Sequence, residues 1–204
     1  MADTATRRTQ ADRRADTQRR LLDATVEELT AHGYAGMSTN EVIRRAGVSR
    51  GALVHHFPTK AQLAVAALDR WLDDRLVEFE ATFAALRPEE HTAAVAIDVL
   101  WEMFAGATFA TWLELTVAAR TDPGLRADLQ VVNDRFNAGV LETFRRTFAV
   151  DDASFDPTIV QFAFTVLSGA ALDLVPGEDV AVPDAVQTLK FLAQMFVNEQ
   201  WRTP

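Results

Sequence analysis

The side chains best placed to contact a charged partner lie in residues 37–62. Ser38 and Thr59 each precede an acidic or amide side chain by three residues, the capping-box pattern that begins a helix. Ser49 predicts a third helix start between them. Helix starts this close together predict a tight helix–turn–helix joint at residues 46–49.

The helix that begins after Ser49 has one face suited to a DNA groove. Leu53 and Phe57 share one side of it and are expected to pack inward. The opposite side is small near the helix start and polar further along, and it has no carboxylate that would be repelled by a duplex. The residues on and beside that face are Arg50, Gly51, Ala52, Val54, His55 and His56.

Lys60 lies in the first turn of the next predicted helix, where a cation opposes the helix macrodipole at a cost of about 0.3–1 kcal/mol. A phosphate bound at that helix end would reverse the sign of the effect. A solvated surface lysine that bears the small penalty is the alternative. The residue alone does not decide between the two.

Charge is distributed unevenly along the chain, whose formal net charge is −9. Residues 1–60 contain ten Lys/Arg and seven Asp/Glu, a net charge of +3, whereas residues 61–204 contain ten and 22, a net charge of −12. The net negative charge of the whole chain repels nucleic acid, whereas the positive net charge of residues 1–60 attracts it. This predicts a small basic head on a larger acidic body.

Arginine pairs precede the head. Residues 1–16 are predicted to be a disordered basic arm that follows the DNA backbone or minor groove. A tail that only keeps the chain soluble is the alternative, because Asp3, Asp12 and Asp16 dilute its charge. Arg7, Arg8, Arg13 and Arg14 lie within this segment, and a third pair, Arg19 and Arg20, follows it.

The whole chain is predicted to be all-α, with about nine helices. Alternating β-branched runs joined by Asn-Gly or Asp-Gly turns are missing from the sequence, and Pro and Gly are well spaced. The first helix is expected from about Thr17 to Ala31 with Gly33 as its stop, and a later helix from Glu89 to about Ala105. We predict a helix-turn-helix DNA-binding domain at residues 17–60 and an effector-binding and dimerisation domain at residues 61–204.

Composition narrows the class of protein further. With 49% hydrophobic and 24% charged residues the chain can bury a core, and the lack of cysteine excludes disulfide scaffolds and thiolate metal sites. A reducing cytoplasm is the expected location. The longest uncharged run, residues 157–172, has only 16 residues, so no membrane span is expected.

The residues of the head resemble the DNA-binding head of the TetR (tetracycline-repressor-like) transcriptional regulators in order, spacing and type. The remaining body resembles that family only in length, helical character and position. The matching segments are Gly33-Tyr34, Met37-Ser38-Thr39, Val42-Ile43, Ala46-Gly47-Val48-Ser49-Arg50-Gly51-Ala52-Leu53, His55-His56-Phe57-Pro58-Thr59-Lys60 and Leu63.

The resemblance implies a homodimeric regulator, most simply a repressor, that binds a palindromic operator and is released by a small-molecule effector. It places a ligand pocket in the body and a dimer interface on the last two helices. Val54 stands where the family often has tyrosine, and Asn40 where arginine is common; both bear on the operator bound. The implied DNA contacts are Ser38, Thr39, Asn40, Arg50, Gly51, Ala52, Val54, His55, His56 and Lys60.

The aromatic side chains of the body predict either a ligand pocket or a packed helical core. Amide side chains lie at helical spacing beside Phe136 and Phe164, and buried amides need partners that a ligand can supply. Asp98, Glu102 and Glu114 would suit a cationic effector, but their amphipathic helices favour solvated carboxylates. The effector-binding candidates are Trp101, Phe104, Trp112, Asn133, Phe136, Asn137, Gln161 and Phe164.

The helix predicted after Pro157 is apolar nearly all round, so it needs covering on two sides. The core of its own body supplies one side, and a second copy of the chain is the natural cover for the other. The expected interface residues are Ile159, Phe162, Val166, Gly169 and Ala170, with Leu189, Leu192, Met195 and Phe196 on the last helix.

An enzyme is the rival class of function. The sequence contains no H-E-x-x-H, G-x-S-x-G, P-loop or G-x-G-x-x-G motif, and no carboxylates are paired within an apolar segment. We therefore expect no catalytic residues, metal site or cofactor. A helical ligand-binding protein whose head no longer binds DNA is the second alternative.

Overall fold

The computed structural model describes residues 10–148, 157–174 and 182–200, and within them every regular element is helical. The all-α prediction of about nine helices is confirmed. A short 3₁₀ turn, Pro88–Glu90, joins the fourth and fifth helices. The α-helices are α1 (Gln10–Gly36), α2 (Thr39–Ala46), α3 (Arg50–His56), α4 (Lys60–Ala84), α5 (Ala93–Phe104), α6 (Ala107–Ala118), α7 (Pro123–Phe148), α8 (Pro157–Leu172) and α9 (Asp184–Gln200).

The first helix begins earlier than the sequence predicted. It starts at Gln10 rather than Thr17, so residues 10–16 of the predicted disordered arm are helical. The segment contains no Gly or Pro, and an ion pair between Arg19 and Asp16 bridges adjacent turns. The rest of the predicted arm, residues 1–9, lies outside the described residues.

Gly33 interrupts α1 where the sequence predicted the helix to stop. Its backbone has φ 65° and ψ 179°, and a φ in the left-handed region is accessible to glycine at little cost. One further turn follows, in which the Met37 N–H donates to the Gly33 carbonyl at 3.0 Å. The chain therefore changes direction at Gly33 before α2 begins.

The fifth helix begins later than predicted, at Ala93 rather than Glu89. The Thr92 side chain caps it by accepting a hydrogen bond from the Val95 N–H at 3.3 Å. The preceding turn is held by Arg87, whose N–H donates to the Glu90 carboxylate at 3.0 Å. The local hydrogen bonds of these two residues decide the boundary.

Internal contacts divide the chain into two compact units. Unit 1 consists of Met1–Trp71 and Ala110–Val132, and unit 2 of Leu72–Phe109 and Asn133–Pro204. The domain limits at residues 16 and 60 stay a prediction. The fully buried apolar side chains of unit 1 include Leu21, Leu29, Val42, Leu63, Leu68 and Leu115.

Two apolar clusters pack among the described residues of unit 2. In the larger, α5, α8 and α9 pack together through residues that include Trp101, Phe104 and Leu167. In the smaller, Phe83 is 1% exposed and packs with Phe79 and Ala96. No single helix of the described residues is both long and apolar enough to cross a membrane, and α5 with α6 meet that test only as a bent pair.

Candidate DNA-binding site

Side-chain caps fix the entry of α2, α3 and α4, as the sequence predicted. Ser38 Oγ accepts from the Glu41 N–H at 3.4 Å, and Ser49 Oγ accepts from the Ala52 N–H at 3.1 Å. Thr59 Oγ1 accepts from the Gln62 N–H at 3.1 Å. These bonds satisfy amide groups that each helix start leaves free, so the orientation of α3 relative to its neighbours within unit 1 is determined locally.

Gly47 closes α2 in the left-handed conformation, with φ 60° and ψ 41°. Its N–H donates to the Arg44 carbonyl and the Val48 N–H donates to the Ile43 carbonyl, both at 3.3 Å. Arg20 reaches the same turn from α1, and its Nη2 donates to the Gly47 carbonyl at 3.0 Å. Arg20, from the last of the three arginine pairs, therefore holds the helix–turn–helix joint.

The capping box expected at the start of α2 forms only in part. The Glu41 carboxylate does not return to Ser38 but binds Arg44 through Nε at 2.9 Å, and it also pairs with Arg45 at 3.4 Å. The hydrogen bond from Arg44, followed by the two arginine charges, lowers the pKa of Glu41 to about 2. The Ser38 N–H donates instead to Glu28 Oε2 at 3.4 Å.

Glu28 is a buried carboxylate that the sequence reasoning missed. It is 2% exposed, and besides Ser38 it faces Arg45 Nε at 3.3 Å and His32 Nδ1 at 3.9 Å. A buried carboxyl group requires such polar partners. The signal was present in the sequence, because Leu21, Thr25 and Glu28 follow helical spacing on the buried face of α1.

The face of α3 opposite the core is accessible. Gly51, Val54 and His55 are exposed, with Val54 at 49%, while Ala52 and His56 are half-buried. Leu53 and Phe57 are buried, as predicted. The other expected DNA contacts are exposed at Ser38, Asn40 and Arg50 and half-buried at Thr39 and Lys60.

Lys60 has a partner that neither interpretation of the sequence anticipated. Its Nζ donates to the Ala35 carbonyl at 3.2 Å and lies 5.1 Å from the centroid of the Tyr34 ring. The carbonyls at the end of α1 attract a cation, which offsets the unfavourable position of Lys60 at the start of α4. The lysine therefore needs no phosphate to explain its place.

The histidines of α3 form an edge-to-face pair. The ring centroids of His55 and His56 lie 5.6 Å apart. Partial burial lowers the pKa of His56, and electrostatic interactions with Arg14 and His55 lower it further. His56 therefore favours the neutral imidazole, which both donates and accepts hydrogen bonds.

The effector candidates divide between a packed cluster and exposed positions. Trp101 and Phe104 are buried, and the Phe164 ring lies 5.2 Å from Phe104 and 6.1 Å from Phe136. Asn133 is half-buried. Trp112 is half-buried in unit 1, whereas the other candidates belong to unit 2.

The expectation of buried amides is wrong at two positions. Asn137 and Gln161 are exposed, so their amide groups are accessible to water and need no ligand as partner. Helical spacing placed them beside Phe136 and Phe164, but it did not show which side of α7 and α8 the protein covers.

Two of the three carboxylates expected to be solvated have protein partners. Asp98 pairs with Lys190 Nζ of α9 at 2.7 Å. Glu114 accepts a hydrogen bond from the Tyr34 N–H. Only Glu102 is an exposed carboxylate without a described contact, as expected for an amphipathic helix.

One side of α8 and α9 carries exposed apolar side chains. Ile159 and Phe162 of α8 are 52% and 56% exposed, and Phe191 and Met195 of α9 are 60% and 55% exposed. Phe191 was not among the expected interface residues. Ala170 and Leu189 were expected at the interface, but they are buried within the chain because α8 and α9 also pack against α5. Of the other expected interface residues, Val166 and Leu192 are half-buried and Gly169 is exposed. The side chain of Phe196 lies outside the described residues.

Known proteins share both the head and the helical chain. Residues 21–67 match the family described as "Bacterial regulatory proteins, tetR family". The chain is 42% identical over 130 residues to the HTH-type transcriptional regulator CymR of Pseudomonas putida, covering 63% of this chain and 64% of CymR, slightly less than two thirds of that relative. It is 34% identical over 167 residues to the HTH-type regulator Rv2912c of Mycobacterium tuberculosis, covering 81% of this chain and 86% of that protein.

A solved structure supports the likeness over nearly the full length. The multidrug binding protein EbrR, crystallised with imidazole, matches with a TM-score of 0.63 at 25% identity, covering 95% of this chain and 97% of EbrR.

These features define a helix-turn-helix transcriptional regulator: capped α2 and α3, the left-handed turn at Gly47, and an all-helical chain. Within that class, the chain belongs to the tetR family of bacterial regulatory proteins. The resemblance seen in the sequence is confirmed. Its relatives are regulators rather than enzymes.

Proposed function

We propose that this regulator binds a near-palindromic operator as a homodimer and that a small-molecule effector releases it. Each head places the exposed face of α3 in the major groove, with the two heads about one helical turn of DNA apart. The observation that carries the proposal is the exposed, carboxylate-free face formed by Gly51, Val54 and His55. A side chain packed inward could not reach a base edge.

The basic residues of the head have different roles in this proposal. Arg44 and Arg45 pair with glutamates and stabilise α2, whereas Arg50 projects from the start of α3 as an exposed side chain. Arg50 reads a base edge, because its planar guanidinium suits the acceptors of guanine. Lys60 contacts a phosphate and contributes affinity without sequence preference.

The homodimer forms through α8 and α9. The exposed Phe162 and Phe191 would be covered by the same face of a second copy, which fits a two-fold symmetric interface. A dimer also provides the two heads that a palindromic site requires. In this proposal residues 17–60 bind DNA, and residues 61–204 bind the effector and dimerise.

The effector site is proposed around the aromatic residues of unit 2, with Phe104, Phe136 and Phe164 as its apolar wall. EbrR, the relative crystallised with imidazole, is described as a multidrug binding protein. An effector that favours one arrangement of the heads lowers operator affinity by linkage.

The decisive experiment is selection of genomic DNA fragments by the purified protein, followed by a salt series on the selected duplex. We expect a near-palindromic site whose affinity falls steeply as salt increases. Arg50→Ala should cost about 1–3 kcal/mol and relax the preference at one base pair, whereas Lys60→Ala should weaken all sequences alike.

Arg87→Ala is the matched control, since Arg87 is an exposed arginine that pairs with Glu89 and Glu90 outside the head. Equal weak binding to every fragment would contradict the proposal. It would favour instead a ligand-binding protein with a degenerate head.

A further inference from the structure

A carboxylate of α6 contacts the kink of α1 inside unit 1. Glu114 accepts a hydrogen bond from the Tyr34 N–H. Because the backbone leaves helical geometry at Gly33, the amides that follow need partners outside the α1 ladder. A Cβ at Gly33 would lie 2.5 Å from both carboxylate oxygens and would displace the Glu114 side chain, and the φ of 65° independently favours glycine.

The residues fixed by this contact are the same ones that hold Lys60. Tyr34 offers its ring to the ammonium at 5.1 Å, and the Ala35 carbonyl accepts from Nζ at 3.2 Å. A lysine ammonium has three N–H donors, so one bond to Ala35 leaves two for another acceptor. A chain of contacts therefore runs from Glu114 through Tyr34 and Ala35 to Lys60.

We propose that Glu114 is a positioning residue for DNA binding. Its carboxylate fixes the end of α1, which in turn holds Lys60 in one conformation before a phosphate arrives. The side chain of Lys60 then loses its rotamer freedom when the protein folds, so DNA binding does not bear that entropic cost. This inference rests on the proposed function, in which Lys60 contacts the DNA backbone.

The sign of the effect separates positioning from simple electrostatics. Removing a negative charge from a DNA-binding unit strengthens its attraction to DNA. Loss of positioning weakens binding instead. Glu114→Ala is therefore expected to weaken binding to the selected operator duplex by about three- to tenfold, the range for immobilising one such side chain. Glu114→Gln, whose amide oxygen still accepts from the Tyr34 N–H, is expected to bind as tightly as the wild type or tighter.

The control is Glu142→Ala, which removes an exposed carboxylate of α7 in unit 2. A double-mutant cycle with Lys60→Ala completes the test, because a residue that acts through Lys60 loses its effect when Lys60 is absent. A role only in folding would leave the two effects additive. If the alanine variant does not fold, Glu114→Asp keeps the charge, shortens the side chain and is expected to weaken binding in the same way.

Each outcome decides the matter. Weaker binding that Gln rescues and that vanishes in the Lys60→Ala background supports the proposal. Wild-type affinity in both Glu114→Ala and Glu114→Asp overturns it, as does an effect that stays additive with Lys60→Ala. In those cases the Lys60→Ala variant alone still reports whether the lysine contributes to DNA binding. Failure of the wild-type protein to select any duplex would overturn the proposed function itself.

Discussion

Both compact units have apolar cores, but the head in unit 1 also depends on short-range polar contacts. In unit 1, short polar contacts set the geometry of the head: serine caps, the turn at Gly47, and the buried carboxylate of Glu28. In unit 2, the clusters around Trp101 and Phe83 consist of apolar side chains. Hydrogen bonds specify direction and apolar packing mostly specifies volume. A DNA-binding surface requires side chains held in defined directions. The residues of a ligand-binding body can be exchanged as long as the packed volume is kept.

The largest effect should come from the smaller apolar cluster of unit 2. Phe83→Ala removes a ring that stacks on Phe79 at 5.7 Å and lies 5.2 Å from Phe148. We expect it to lower the free energy of unfolding by about 3–5 kcal/mol. Urea denaturation measures the loss. Operator preference of the folded fraction should stay unchanged, and a changed base preference would show that the two units do not differ as described.

Glu28→Ala tests the polar geometry of unit 1. It leaves Arg45 without its most buried partner and the Ser38 N–H without an acceptor, so we expect a loss of about 3 kcal/mol. Glu27→Ala removes an exposed partner of the same arginine and should cost less than about 1 kcal/mol. Denaturation of both variants gives the comparison. Equal losses would mean that the burial of Glu28 has no energetic consequence.

The apolar side of α8 and α9 gives a third comparison, between the proposed dimer interface and an ordinary exposed residue. Phe162→Ser should weaken the dimer by about 2 kcal/mol or more, as expected for an aromatic at the centre of an interface. Val77→Ser alters a side chain that is 67% exposed on α4 and should leave the dimer intact. Sedimentation velocity across protein concentration measures both. A Phe162→Ser variant that dimerises normally would argue against this surface.

The smallest effect concerns pH and the head alone. The pKa of His56 is lowered from 6.5 in the folded chain, so the unfolded chain binds this proton more readily. Stability from this residue is therefore present above pH 6.5 and is lost as pH falls through the folded-state pKa. Urea midpoints measured between about pH 7.5 and 5 should depend less on pH in His56→Gln than in the wild type. His91→Gln, in unit 2, is the control, and an unchanged profile for His56→Gln would contradict the assignment.

The sequence was most informative about the head because its signals are local. Caps at Ser38, Ser49 and Thr59 and the glycine at 47 act within a few residues of one another, so spacing alone predicted α2 and the inward packing of Leu53. The sequence predicted the starts of two helices less well. The structure places the start of α1 at Gln10 and the start of α5 after Thr92.

The sequence by itself determined an all-helical chain with a DNA-reading head, because helical periodicity and capping are encoded in neighbouring residues. Only the tertiary structure decided the partners of Glu28, Lys60 and Glu114, and the exposure of Gln161. Those contacts join residues that are far apart along the chain or depend on which side of a helix is covered. The spacing of residues in a sequence shows which of them share a helix face, but it does not show what packs against that face.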